Sequence, residues 1–153
     1  MADTFSQIYI QVVFAVQGRQ NLIPKEHKDE LYKYITGIIT NKRQKLIRIN
    51  GVADHLHILI GLKPSMALSN LVRDIKSNSS AFVNDKGWIR GKFNWQNGFG
   101  AFSSGHSQLD HVIQYIDNQE EHHKKTTFRE EYLILLKRFN VEYKEEYLFE
   151  WLD

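Results

Sequence analysis

Two histidines separated by one leucine are the side chains best placed for chemistry. The segment Asp54-His55-Leu56-His57 opens the apolar run ILIGL, which is typical of a buried strand. Alternate residues of a strand face opposite sides, so His55 and His57 share one face and the aliphatic residues between and after them share the other. The sequence therefore predicts two imidazoles side by side on a rigid element, as in many metal sites. A pair of ordinary surface or partly buried histidines is the other interpretation.

A tyrosine and a glutamine four residues apart are candidates to join this pair. Tyr115 and Gln119 would lie on one face of a helix, beside its apolar stripe and not within it. Imidazole and amide ligands suit a divalent ion, and two histidines shift the preference from Mg²⁺ toward Mn²⁺. Such an ion could polarise a phosphodiester while the Tyr115 phenol attacks it and forms a phosphotyrosine bond. Taken alone, an amphipathic boundary explains the pair on this helix at least as well.

The elements that must position these residues follow the order strand, helix, strand, strand, helix, strand, helix. Apolar periodicity predicts strands at 5–17, 45–52, 54–62 and 98–103, and helices at 24 to about 43 and 68–83. Two further helices open at sequences resembling capping boxes, Ser107 with Asp110 and Thr127 with Glu130. This order predicts an α+β, ferredoxin-like split βαβ domain with an antiparallel sheet, helices on one face and a C-terminal helical extension.

Composition narrows the classes of function. The 153 residues contain no linker or repeat, so we expect one domain, with a core at 1–125 and a helical tail at 126–153. The absence of cysteine excludes a thiolate nucleophile and a cysteine zinc site. Without a signal peptide or a long apolar run, we expect a cytoplasmic protein with no membrane contact. The segment 87–92 has neither the spacing nor the Ser or Thr of a phosphate-binding loop, so we expect no nucleotide cofactor.

Five segments along the chain carry a family resemblance. They are VVFAVQGRQNLI, DHLHILIGL, LVRDIKSNSS, FNWQNGFGAFS and YIDNQEEHH, in this order. Their order and spacing resemble those of the single-tyrosine HUH transposases of small insertion sequences, which move as single-stranded DNA. The resemblance covers nearly the whole chain. It implies Tyr115 as the nucleophile, His55, His57 and Gln119 as metal ligands, and Mg²⁺ or Mn²⁺ as the metal.

The resemblance also implies substrate and assembly. The expected activity is cleavage and rejoining of single-stranded DNA through a 5′-phosphotyrosine, with hairpins at element ends as the recognised feature. The expected assembly is a homodimer in which the tyrosine helix of one subunit completes the site of the other. Three alternatives stay open: a domesticated relative that processes repeated chromosomal palindromes, a noncatalytic DNA-binding module, and a hydrolase that uses metal-bound water.

Six further residues are candidates for DNA contacts. Polar side chains of the second helix could follow a phosphate track, aromatic rings in the glycine-rich segment could stack on unpaired bases, and a histidine after Gln119 could assist phosphate binding. They are Arg73, Lys76 and Ser77, then Trp95 and Phe99, and finally His122. For Trp95 and Phe99, anchoring of the loop to the core is an equally good interpretation.

Overall fold

Four antiparallel strands form one sheet in a computed structural model that describes residues 2–18 and 22–152. The strands are β1 (Tyr9–Ala15), β2 (Lys45–Val52), β3 (His55–Gly61) and β4 (Gly100–Ser104), in the spatial order β2-β3-β1-β4. The helices are α1 (Lys28–Asn41), α2 (Leu68–Lys86), α3 (Leu109–Asp117), α4 (Gln119–His122) and α5 (Phe128–Arg138). Short 3-10 turns lie at Lys25–His27, His106–Gln108 and Glu145–Tyr147. Residues 19–21 of the N-terminal segment named above lie outside the described residues.

The strand order confirms the predicted fold class. β3 lies between β1 and β2 and is antiparallel to both, which is the arrangement of a split βαβ unit. Its central position explains why DHLHILIGL carries apolar residues on both faces: the strand is buried on both sides. In the register with β1, Val13 is opposite His57 and Ala15 is opposite His55. Small or apolar neighbours therefore flank the imidazoles.

The two faces of the sheet are covered by different helices. One face carries Phe14, whose ring packs edge-on against that of Trp95 with centroids 4.8 Å apart. The helix α2 lies over this face, with Lys76 above the Phe14 ring. α1 packs beside α2 through the rings of Tyr34 and Phe82, 4.0 Å apart. The predicted single helical face corresponds to α1 and α2. α3, α4 and α5 cover the opposite face, which carries the histidines and would otherwise be left to solvent.

The helix that carries Tyr115 begins and ends differently from the sequence prediction. No side-chain capping bond forms at its start; a 3-10 turn precedes Leu109 instead. The helix ends at Asp117, so Gln119 begins a separate short helix after a break at Asn118. The capping box predicted for the last helix is present, with Thr127 and Glu130 bonded reciprocally. Within residues 2–18 and 22–152, no helix combines the length and apolar character needed to cross a membrane.

Candidate metal and tyrosine site

Two buried imidazoles on β3 form the floor of the candidate site. His55 and His57 lie on the sheet face that α3 to α5 cover, and neither side chain is exposed to solvent. His55 Nδ1 lies 2.7 Å from Asp54 Oδ1, and His57 Nδ1 lies 2.8 Å from Gln11 Oε1. Since both partners are acceptors, each Nδ1 donates a proton to its oxygen. Both Nε2 atoms therefore face the site. In metal-binding histidines, a hydrogen bond from the other ring nitrogen fixes the orientation of the ring in the same way.

The two Nε2 atoms also face oxygens. Glu131 Oε1 lies 3.1 Å from His55 Nε2 and 3.0 Å from His57 Nε2. Gln119 Oε1 lies 3.2 Å from His55 Nε2. An imidazole with its single proton on Nδ1 presents a lone pair at Nε2, which a carboxylate oxygen repels. A cation shared by these atoms, either a proton or a metal ion, removes that repulsion.

The spacing of the donor atoms suits a divalent metal. Ligand atoms about 2.1 Å from an ion and at right angles to one another are about 3.0 Å apart. The contacts among the four donors, His55 Nε2, His57 Nε2, Gln119 Oε1 and Glu131 Oε1, include three of 3.0–3.2 Å. The trio of His55, His57 and Glu131 is fully buried and could hold a metal ion. Two imidazoles, an amide and a carboxylate therefore fit the ion that the sequence resemblance implies.

Tyr115 reaches the same carboxylate from α3. Its hydroxyl donates a hydrogen bond to Glu131 Oε2, and its ring lies edge-on to that of His57 with centroids 5.6 Å apart. Asn50 of β2 holds α3 over the sheet, because its Nδ2 donates to the carbonyls of the last two residues of α3 at 2.9 and 3.2 Å. The phenol and the histidine pair, predicted separately, are neighbours within one chain.

Gln119 is buried between the strand and the helices. Its Nε2 donates to Glu131 Oε2 at 2.9 Å, while its Oε1 faces His55. The prediction that Gln119 and Tyr115 share one helix face is wrong in detail, because α3 ends between them. Their side chains nevertheless converge on one carboxylate. The chain turns at Asn118 and points Gln119 into the site from α4.

Glu131 is the candidate metal ligand that the sequence interpretation missed, as it also missed the supporting residues Gln11 and Asn50. It is 2% exposed although it carries a carboxylate, and it lies between apolar positions of α5. Phe128, Tyr132 and Leu135 recur around it at helical spacing, so Glu131 stands within the buried stripe of the helix. A charged residue inside such a stripe is a signal that could have identified it, since buried charges are paired or bind metals.

Burial and hydrogen bonding shift the pKa values of the residues in this cluster in different directions. Burial alone would lower the pKa of His55, but its hydrogen bonds to Asp54 and Glu131 outweigh burial and raise that pKa to about 9. Burial lowers the pKa of His57, against the opposing attraction of Glu131. Burial alone would raise the pKa of Glu131, and the imidazoles around it instead hold that pKa well below its usual value. Burial and the Glu131 charge both raise the pKa of Tyr115, so the phenol is protonated in this arrangement.

The three predicted DNA contacts on α2 lie in different surroundings. Lys76 Nζ donates to two carbonyls of the loop before β4, at 2.7 and 2.6 Å, and so fastens that loop to the helix. Arg73 is exposed, and its Nε donates to Asp74 at 3.1 Å. Ser77 is exposed at the edge of a polar cavity of about 430 Å³, which Lys76 also lines. Contact of these side chains with DNA stays a prediction.

The other three predicted contacts lie further inside. Trp95 is buried, and its Nε1 donates to Ser79 Oγ at 2.9 Å. Phe99 is partly buried against the core. His122 Nε2 lies 3.5 Å from Glu131 Oε2, at the rim of the histidine cluster. Base stacking by the two aromatic rings and phosphate binding by His122 stay predictions, and the position of Trp95 agrees with loop anchoring.

Comparisons with known proteins agree on a family. The sequence pattern of the family described as transposase IS200 like matches residues 4–119. The fold is similar to the crystal structure of a Deinococcus radiodurans R1 protein described as a transposase, with 19% identity, a TM-score of 0.61 and coverage of 78% of this chain and 95% of that one. It is also similar to a REP-associated tyrosine transposase bound to a REP hairpin, with 14% identity, a TM-score of 0.60 and coverage of 80% and 74%. No curated protein matches the chain. With three quarters of its length matched by the family pattern, the chain belongs to the IS200-like transposase family, whose function is a transposase-type reaction on DNA.

Proposed function

We propose that this protein cleaves and rejoins single-stranded DNA through Tyr115, with a divalent cation held by His55, His57 and Gln119. One observation carries the proposal: the phenol and both Nε2 atoms converge on the same buried carboxylate. A nucleophile and a cation site thus lie within a few ångströms of each other, in a chain whose family acts on DNA. The ion is Mg²⁺ or Mn²⁺, and the two imidazoles favour Mn²⁺.

The reaction of the proposal is an in-line displacement. A bound divalent cation would polarise the scissile phosphodiester and stabilise its developing charge. Tyr115 Oη bonds to phosphorus, the bond from phosphorus to the 3′ oxygen breaks, and solvent returns to the 3′ oxygen the proton that the phenol loses. The products are a 5′-phosphotyrosine and a free 3′-hydroxyl. The same steps in reverse rejoin DNA without a nucleotide cofactor, because the phosphotyrosine retains the phosphodiester energy.

A cavity beside the histidines, lined by three lysines and by the carboxylates of Asp54 and Glu120, is the proposed path of a phosphate-bearing substrate. Its volume is about 710 Å³, and its lining includes Lys25, Lys124 and Lys125. Asp54 and His123, which contact His55 and Glu131 respectively, form part of the same wall. Ammonium groups attract a DNA backbone over several ångströms. A strand that follows the lysines would pass next to the histidine cluster.

The substrate is proposed to be a hairpin with unpaired flanks. The support is the similar fold of the transposase whose structure contains a REP hairpin. The physiological source of the hairpin separates two forms of the proposal: ends of a mobile element, or palindromes repeated in a chromosome that a domesticated relative processes. Cleavage of hairpins taken from both sides of the gene would favour the first, and cleavage restricted to scattered solitary palindromes would favour the second.

Denaturing gels test the proposal directly. Purified protein is mixed with labelled single-stranded hairpins and Mn²⁺ or Mg²⁺, and a protein–DNA adduct that survives denaturation is expected. Tyr115→Phe and a chelator should each abolish the adduct. Tyr147→Phe is the matched control, since Tyr147 is 79% exposed and far along the tail. An adduct that persists in Tyr115→Phe would refute the assignment of the nucleophile.

The same assay separates two alternatives of different class. A hydrolase that uses metal-bound water would cut the hairpin without an adduct and would tolerate Tyr115→Phe. A noncatalytic binding module would retain the hairpin in a native gel and cut nothing, whichever ion is added. The Tyr115 hydroxyl is hydrogen-bonded to a carboxylate beside two imidazoles. This arrangement favours covalent catalysis over both alternatives.

Assembly is the remaining part of the proposal. A homodimer with composite sites, which the family resemblance implies, would require α3 to cross to the other subunit. A single chain already places Tyr115 beside its own His57. Mixing Tyr115→Phe and His57→Ala chains distinguishes the arrangements: adduct formation recovers if α3 is exchanged, and stays absent if each chain uses its own tyrosine.

A further inference from the structure

Glu131 lies outside the segment that relates this chain to its family. The family match ends at residue 119, whereas Glu131 belongs to α5, which begins at Phe128. Its carboxylate is nevertheless at the centre of the site, because it contacts the ligands predicted for the metal as well as the predicted nucleophile. Its role therefore cannot be taken from the family segment and has to be derived from its geometry.

The two oxygens of the carboxylate have different partners. Oε1 faces His55 Nε2, His57 Nε2 and His123 Nε2 at 3.1, 3.0 and 3.0 Å. Oε2 accepts hydrogen bonds from the Tyr115 hydroxyl and from Gln119 Nε2. Apart from His122 Nε2, which lies 3.5 Å from Oε2, the imidazole contacts are to Oε1, and the nucleophile is hydrogen-bonded to Oε2. This division matches a carboxylate that bridges two functional groups.

Building on the function proposed above, we infer that Glu131 is a positioning residue that couples cation binding to the placement of the nucleophile. Glu131 would take part in holding a divalent cation with the β3 histidines, while its Oε2 accepts the hydrogen bond that orients the Tyr115 hydroxyl. Binding of the ion then determines where the phenol points. The carboxylate that neutralises the ion also sets the distance between the ion and Tyr115.

Contacts that do not involve the carboxylate hold α5 in place. Thr127 caps its first turn, and Phe128 stacks on His55 with ring centroids 3.9 Å apart. Tyr132 lies directly over Gly100 of β4. Farther along, Gln96 exchanges two hydrogen bonds with the backbone of Glu150, at 2.9 and 2.7 Å. Glu131 is thus delivered to the site by a packed helix, as a preorganised ligand requires.

A Glu131 with a purely structural role, which did not connect the ion to Tyr115, would give a different response to metal binding. If the carboxylate only neutralised protonated histidines, a bound ion would act on Tyr115 through space alone, and the response of Tyr115 would be the same with and without the Glu131 charge. A bridging carboxylate must redistribute its charge when the ion binds Oε1, and the hydrogen bond at Oε2 must respond. The signature to measure is therefore the state of Tyr115 in response to metal, in the absence of DNA.

The experiment uses the full chain labelled with ¹³C at the tyrosine Cζ atoms. Of the seven tyrosine resonances, the one that Tyr115→Phe removes is assigned to Tyr115. Addition of saturating diamagnetic Mg²⁺ or Zn²⁺ should shift this resonance in the wild type and shift it much less in Glu131→Gln. Glu130→Gln is the matched control: Glu130 is the adjacent, exposed carboxylate, and glutamine can maintain the capping box.

Calorimetry and cleavage kinetics complete the test. Glu131→Gln should weaken Mn²⁺ binding by about 10- to 100-fold, in line with other substitutions around metal sites. At saturating Mn²⁺ its cleavage rate should still be lower by on the order of 100-fold, because the phenol is misplaced, while hairpin affinity is unchanged. Glu131→Asp, which keeps the charge on a shorter side chain, should recover Mn²⁺ binding more fully than the cleavage rate.

Besides an equal metal-induced shift in the wild type and Glu131→Gln, two results would overturn the inference. The first is a Tyr115 resonance that does not respond to saturating metal in the wild type, which requires no variant to fold correctly at position 131. The second is a Glu131→Gln protein that cleaves at the wild-type rate once Mn²⁺ is saturating. A wild type that forms no adduct with any hairpin would instead refute the proposed function, and the resonance measurement would still decide the role of Glu131.

Discussion

Substitution of Gly100 by alanine tests whether the packing of α5 on the sheet positions the site. A Cβ at Gly100 would lie 2.6 Å from Tyr132 Oη and 2.8 Å from Tyr132 Cε1. Contacts shorter than 3.0 Å are essentially never seen and ordinary ones begin at 3.4 Å, so the ring must move by at least 0.4 Å, and by 0.8 Å to reach an ordinary contact. Tyr132 is 5% exposed and cannot swing into solvent. The strain must therefore pass into α5, where Glu131 is the preceding residue.

The expected decrease in the free energy of unfolding follows from overpacking of the core. Extra methyl groups in a packed core destabilise by about 1–3 kcal/mol, which corresponds to a melting temperature lower by roughly 2–12 °C for a chain of this size. Mn²⁺ affinity should fall by about 10-fold, since displacement of α5 withdraws a carboxylate from the site. Differential scanning calorimetry and titration calorimetry measure the two effects.

Gly105→Ala is the matched control at the other end of β4. Apart from the two adjacent residues, no heavy atom of the described chain lies within 4 Å of a Cβ at Gly105. This variant should therefore melt and bind Mn²⁺ like the wild type, or melt slightly higher because alanine restricts the unfolded chain. A Gly100→Ala protein with wild-type melting temperature and Mn²⁺ affinity would refute the packing of Tyr132 on β4 and the link from it to the site.

Two further predictions concern the metal. Gln11→Leu removes the acceptor that orients His57, so Mn²⁺ affinity measured by calorimetry should fall by about 10- to 100-fold, whereas Gln11→Glu keeps an acceptor and should stay near the wild type. Equal affinity of Gln11→Leu and wild type would contradict the orienting role of the 2.8 Å contact. Mn²⁺ at 100 times its dissociation constant should raise the free energy of unfolding by about 2.7 kcal/mol, measured by urea denaturation. A chelator should reverse the gain and His57→Ala should lack it; an equal gain in His57→Ala would place the ion elsewhere.

Local patterns of the sequence were sufficient to predict the sheet and the histidine pair. Strand alternation placed His55 and His57 on one face, and the bounds predicted for β2 agree with the observed Lys45–Val52. These features depend on residues close in sequence, where the period of the backbone decides which face a side chain occupies. The fold class followed from the order of strands and helices along the chain, and the observed strand order agrees with it.

Contacts between distant segments could not be predicted in the same way. Glu131 meets His57 across 74 positions of sequence and His55 across 76, and local periodicity contains no information about which helix covers which strand. The break at Asn118 was also missed, because spacing alone predicts a continuous helix from Tyr115 to Gln119. The two hydrogen bonds from the Lys76 ammonium to loop carbonyls were not predicted either, and contact of Lys76 with a DNA phosphate stays a prediction. Tertiary packing decided each of these cases.

Mass spectrometry of the protein–DNA adduct tests the central claim most directly. Wild-type protein is incubated with Mn²⁺ and a single-stranded hairpin, digested with protease and nuclease, and the peptide that retains a nucleotide is sequenced. A 5′-phosphoryl nucleotide on Tyr115, with a free 3′-hydroxyl on the other DNA fragment, is the predicted result. A nucleotide attached to any other side chain, or hairpin cleavage with no attached nucleotide, would contradict the account.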